Sequence, residues 1–332
     1  MGEKILMEIQ VPFENEYLFG NTFLEFIPHP TNWIGDVLDL LTIVCHYLGG
    51  ITFFVILLPI LYLFYDRRFA SYLAYAVFSV GIINGLLKYF FMSPRPSNLS
   101  EKFISISSHV REYSFGLPSG HSHVSILVWG LFFFHFKNFF IRLISLFFII
   151  LTPFSRMYAG VHYPGDVILG FFCGLISLLI MLKYKQQILH FPSPSQWSKP
   201  LQKIKTFSLL ILALTLLFTL LELNPYNTFT HLQSLSSVIS AAGAFSGFLI
   251  GLFFLNYKYP NLPQHIKKED RWLGILLLVL GILFFYFGMS YIFKNIFPDN
   301  GLFRYMRYFV LNFYFSFFVY FFIQNKKKTI NA

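Results

Sequence analysis

From about Leu48 to Ile323 the chain is a succession of apolar runs, most of them near the ~18 to 20 residues a helix needs to cross a bilayer. Short charged or proline-broken loops part them. Hydrocarbon offers no water to pair with backbone groups, so each run must close its hydrogen bonds internally and be helical. Composition agrees. Of 332 residues 56% are hydrophobic and only 12% charged, about half the charge a soluble domain carries. The expected fold class is all-α, a polytopic membrane helical bundle of about nine transmembrane helices, with runs near 48–65, 69–91, 121–137, 139–153, 166–182, 206–223, 235–255, 272–293 and 303–323.

The net charge of +10 would suit a nucleic-acid partner, but the basic residues sit in short loops where membrane orientation explains them better. No nucleic acid is expected. Alternate loops carry sixteen of the 25 basic residues, from Arg67 and Arg68 through Lys137, Arg142, Lys183 to Lys205 and Lys258 to Arg271, ending at Lys326 to Lys328. That side is read as cytoplasmic, which turns the 92–118 loop and the turn around Arg156 outward. Cys45 and Cys173 lie in apolar surroundings and read as packing residues, supporting neither a disulfide framework nor a metal site. The N-terminus, with Glu3, Glu8, Glu14 and Glu16, lacks the basic-then-apolar opening of a cleaved signal. Trp33 to Leu48 alternates at helical spacing and reads as interfacial.

Three polar clusters stand at the outward ends of apolar helices. They are Lys88 with Arg95-Pro96, then Pro118-Ser119-Gly120-His121, then Ser155-Arg156 with His162 and Asp166. Snorkelling would scatter Lys and Arg there, not His, Ser, Gly and Asp at fixed offsets. Lys88, Arg95 and Arg156 supply cations for the oxygens of a phosphate. Ser119 and Gly120 precede a helix whose N-terminal N–H groups and dipole favour the same anion. His162 and Asp166, four apart, share a helix face, so the carboxylate can fix the ring tautomer and leave the other nitrogen free to attack. His121 is then available as general acid. The other histidines, His46 among them, fit no ligand spacing and read as ordinary interface residues; His123 reads as packing.

These clusters resemble the three motifs of the type 2 phosphatidic acid phosphatase superfamily, which also includes vanadium haloperoxidases. All eleven motif positions match, and the resemblance covers roughly residues 48 to 185. It implies a five-to-six-helix phosphatase core and a phosphohistidine on His162, supported by Asp166, with His121 protonating the leaving oxygen. Lys88, Arg95, Ser119, Gly120 and Arg156 would bind the phosphoryl group. Neither metal nor other cofactor is implied, because the cations replace it. The expected function is hydrolysis of a lipid phosphomonoester or diphosphate, at the periplasmic, extracellular or lumenal face of a bacterial inner membrane or eukaryotic endomembrane. Partners are the lipid phosphate and the surrounding membrane lipids. A phosphotransferase with the same motifs and a non-catalytic lipid-binding protein are the alternatives. A vanadium-dependent oxidase fits poorly, since those relatives are soluble.

The domain reading is an N-terminal interfacial segment at 1–47, the phosphatase core at 48–185, a cytoplasmic linker at 186–205 and a four-helix transmembrane extension at 206–332. The extension resembles the sphingosine-phosphate phosphatases in topology alone. Its Gly243, Gly247 and Gly251, at intervals of four, let a second helix approach closely, from the same chain or across a homodimer. The serine-rich stretch from Ser97 to Leu117 joins the first two clusters and reads as a lid over the site.

Overall fold

The computed structural model describes residues 15–189, 199–297 and 300–330. Glu3, Glu8, Glu14, His190 and much of the expected linker lie outside the described residues. The described chain is all-helical, with no strand among the described residues. Its principal helices are α1 (Trp33–Gly49), α2 (Ile51–Tyr65), α3 (Arg67–Phe91), α4 (Gly120–His135), α5 (Phe139–Tyr158), α6 (Pro164–Lys183), α7 (Leu201–Leu223), α8 (Phe229–Lys258), α9 (Lys268–Ile296) and α10 (Gly301–Lys326).

Seven of these are long and apolar enough to cross a membrane, or eight if α1 and α2 count as one broken span. All nine expected runs are helical, but α4 has only 16 residues, about 24 Å of helix against a hydrocarbon core of about 30 Å. It is short because the chain turns at Phe136 and Asn138 restarts it, the Asn138 side chain accepting from the N–H groups of Phe140 and Ile141 at 2.9 and 3.2 Å. Asp66 begins α3 the same way, accepting from Arg68 and Phe69 at 2.8 and 3.0 Å. Such caps satisfy donors that a helix start leaves unpaired.

The chain divides into two compact units. One comprises Met1–Gly50, Asn84–Leu178 and Thr228–Ser234; the other comprises Ile51–Ile83, Leu179–Asn227 and Leu235–Ala332. In the first, α1 turns Thr42 and Cys45 inward and leaves Trp33, Val37 and Leu40 exposed. Leu24, Ile27, Phe103, Ile106, Val110 and Tyr158 form an apolar cluster there. The stretch from Ser97 to Leu117 is therefore anchored, through Phe103, Ile106 and Val110, while Ile104 points outward.

The second unit holds Tyr62 and Tyr75 edge-on to Phe248, with ring centroids 5.8 and 5.9 Å apart. The glycine stripe of α8 is filled by α10 of the same chain: a Cβ at Gly243 or Gly247 would overlap the carbonyl oxygens of Tyr305 and Phe309. Tyr305 spans the contact with a buried hydroxyl 2.7 Å from Thr215 Oγ1 and 2.6 Å from Ser246 Oγ. On α9 the side chains of Leu276, Leu280, Leu283, Phe284 and Phe287 remain exposed, a surface that hydrocarbon can cover at no desolvation cost.

Candidate active site

The first unit gathers all three polar clusters. Lys88 and Arg95 come from the end of α3 and the chain beyond it, His121 from the first turn of α4, Arg156 from the last turn of α5, and Asp166 from the first turn of α6. His162 sits in the turn before Pro164 opens α6, where the missing proline N–H costs nothing. Arg156, His162, Asp166 and Ser119 are fully buried. Ser119 caps α4, its hydroxyl accepting from Ser122 N at 3.5 Å, and its own N–H donates to the Asp166 carbonyl at 2.9 Å. That bond ties the starts of α4 and α6 together. Gly170 permits it, since a Cβ there would stand 2.6 Å from the Ser119 carbonyl oxygen. Behind the loop, Asn84 donates to the Pro118 carbonyl at 3.3 Å and stands close enough to Gly120 that a Cβ would lie 3.0 Å from its Oδ1. His123 is buried as a packing residue, 3.4 Å from Asn84 and 3.0 Å from Ser177.

Partners fix the state of His162. Its Nδ1 lies 3.1 Å from Asp166 Oδ2, an acceptor, and its Nε2 lies 3.0 Å from Arg95 Nη1, which has only protons to give. The proton is therefore on Nδ1, and Nε2 carries a lone pair. Burial, reinforced by the Arg95 charge, pushes this imidazole down to about 4, so the neutral ring is the resting form near pH 7. Asp166 Oδ2 also accepts from Tyr163 N at 3.1 Å, which holds the carboxylate in place.

His121 is placed oppositely. Its Nε2 faces the His46 carbonyl at 3.0 Å and its Nδ1 faces Glu112 Oε1 at 2.9 Å. Both are acceptors, so the ring is placed to donate a proton from either nitrogen. The His46 ring stacks on it, centroids 5.0 Å apart, with Nδ1 3.4 Å from Arg156 Nη1. His46 is thus part of the site and not an ordinary interface histidine. Packing of α1 against α4 and α5 brings it there, across 75 residues of chain, which spacing cannot register.

Glu112 occupies the middle of the cluster, a residue that sequence reasoning missed. Oε2 accepts from Arg95 Nη2 at 2.6 Å; Oε1 accepts from Arg156 Nη2 at 2.9 Å and from His121. Oε2 stands 3.8 Å from His162 Nε2. Burial alone would raise this carboxyl, but Arg95, His121 and Arg156 together hold it well below the usual carboxylate range. The expected phosphate ligands otherwise find protein partners. Lys88 Nζ donates to Ser114 Oγ and the Phe115 carbonyl at 3.1 and 2.6 Å, and Arg95 Nε donates to the Ser114 carbonyl at 2.6 Å. Arg156 Nε stays buried without a partner, as does Asp166 Oδ1.

The ring nitrogens of His46 and His121 and the Glu112 carboxylate place potential metal ligands within 4.8 Å of one another. A cation there would stand against the Arg156 guanidinium and compete with it for Glu112, so the surroundings suit an anion. The His162 lone pair, the His121 ring and the guanidinium donors all converge on one carboxylate-sized space. No curated protein and no solved structure matches the chain. Residues 69–189, which carry every one of these motif side chains, match the PAP2 superfamily, and residues 239–325 match the transmembrane extension of PAP2 superfamily phosphatases. The chain belongs to the PAP2 superfamily, in its integral membrane branch.

Proposed function

We propose that this membrane phosphatase hydrolyses a phosphomonoester or diphosphate of a lipid through a phosphohistidine on His162. The observation that carries the reading is the clasp on Glu112. An anion held by Arg95, Arg156 and His121 lies within 3.8 Å of the His162 lone pair, so a phosphoryl group in that space would have its nucleophile and its acid in reach. His162 Nε2 attacks phosphorus, the bond from phosphorus to the lipid oxygen breaks, and His121 gives that oxygen its proton. Water then attacks the phosphohistidine, His121 takes a proton from it, and inorganic phosphate leaves with His162 neutral again. Arg95, Arg156 and Lys88 stabilise charge on the phosphoryl oxygens, with Ser119 and Gly120 at the helix start.

The lipid character of the substrate is supported by the exposed apolar helices, which put the chain in contact with such molecules. Polyprenyl diphosphate, phosphatidic acid, phosphatidylglycerophosphate, lipid A and a sphingoid phosphate are the substrates to try. The non-cytoplasmic position of the site is supported by the sixteen basic residues of the alternate loops, which lie on the opposite side of the sequence's topology from His121 and His162. Purified protein assayed against that panel should release inorganic phosphate from at least one member, and His162→Ala should abolish it. Transfer of the phosphoryl group to an added alcohol without phosphate release would make the chain a phosphotransferase. Activity above about a tenth of wild type in His162→Ala would end the nucleophile assignment.

A further inference from the structure

We propose that Glu112 is an internal competitor for the phosphoryl subsite, occupying its donors until a phosphate displaces it. The inference rests on the reading of this site as a phosphatase centre.

Glu112 is bound as a substrate anion would be. Its two oxygens take one donor each from Arg95 and Arg156, at 2.6 and 2.9 Å, and Oε1 takes the His121 proton as well. A structural ion pair needs one cation; this carboxylate holds both guanidiniums and the acid, and faces the nucleophile. A substrate phosphate cannot share the space, because its charge and that of the carboxylate would meet at the same donors. Glu112 must leave first.

The chain around it borders solvent. Val110 on one side and Phe115 on the other are buried anchors, while Arg111 and Tyr113 are exposed, with the guanidinium 5.4 Å from the tyrosine ring. Glu112 lies between them at 17% exposure, central in the cluster yet reached by solvent. A rotation of the Glu112 side chain alone would carry the carboxylate toward solvent while the Ser114 carbonyl and hydroxyl keep their bonds to Arg95 and Lys88.

Competition with a tethered anion is demanding. A group held by so short a segment acts at an effective concentration of about millimolar or higher. A terminal phosphate brings close to two charges and a third free oxygen. Arg156 Nε, left unpaired by the two-oxygen carboxylate, is a donor that this third oxygen can satisfy.

The test is equilibrium binding to the full-length protein in lipid nanodiscs, with inorganic phosphate, orthovanadate and dimethyl phosphate as probes. Glu112→Gln should bind phosphate and vanadate at least about tenfold more tightly than wild type, and dimethyl phosphate more tightly by a similar factor. Glu112→Asp keeps the charge but shortens the reach, and should fall between them; it also covers the case in which Glu112→Gln does not fold. Unchanged or weaker binding of all three probes in a folded variant would overturn the proposal and leave Glu112 as a brace for Arg95 and Arg156. Failure of wild type and variants alike to bind phosphate or vanadate would instead defeat the phosphatase-site reading, and the inference with it.

Discussion

Arg95 and His162 meet donor to lone pair, Nη1 to Nε2 at 3.0 Å, a contact that would aim the proposed nucleophile. It also sets a limit: in the proposed reaction the guanidinium shields that nitrogen until an anion draws it away. Asp166 completes the arrangement from the far side of the ring, at 3.1 Å.

Asp166→Asn tests that arrangement. An amide can turn its NH₂ toward Nδ1, which forces the ring proton onto Nε2, where it faces the protons of Arg95. Turnover should fall by about 10³ to 10⁴-fold, by analogy with other catalytic histidines left in the wrong tautomer. Vanadate affinity should stay within a few fold, because Arg95 and Arg156 are untouched. A kcat near wild type would show that the tautomer does not matter.

The acid side of the pH profile has a definite sign. The neutral imidazole is the attacking form in the proposed reaction, and burial with the nearby Arg95 charge depresses His162 from 6.5 to about 4. The active form is thus nearly complete above about pH 5 and is lost as pH falls through 4. With the substrate's own phosphate titration measured separately, the His162 limb of kcat/KM should lie near pH 4. A limb centred at 6.5 would mean that the ring is not buried against Arg95 in the working enzyme.

Much of this was legible in the chain. The apolar runs fall within a few residues of α2 through α10, since a bilayer admits one backbone solution for such runs and the charged loops mark their ends. The His162 and Asp166 pair was legible from its spacing, although His162 reaches the carboxylate from the turn before α6 and not from a shared helix face. Glu112 and His46 were not. Neither has a periodic relation to the motifs: Glu112 enters because Phe103, Ile106 and Val110 fold its loop into an apolar cluster, and His46 because α1 packs on α4 and α5. The glycine stripe announced a close helix contact, while only the fold identifies α10 as the helix that fills it.

Sidedness converts the charge count into a claim about substrate. Ser97 and Ser108, both exposed, lie on the loop joining the first two motifs, and Gln186 follows α6 on the basic side. With Cys45 and Cys173 replaced, a cysteine at Ser97 or Ser108 should react with an impermeant thiol reagent applied to intact cells, and one at Gln186 only after permeabilisation. The reverse pattern would put the site in the cytoplasm and change the lipid pool available to it.

Trapping the covalent intermediate tests the central claim most directly. Brief reaction with substrate labelled in the phosphoryl group, followed by alkaline denaturation, should leave label that is stable to base and released by acid, as a phosphoramidate is. Peptide mapping should place it on His162, with none in His162→Ala and slower appearance in His121→Ala. Turnover with no label on His162 under conditions that trap the intermediate, or label on another residue, would contradict the account.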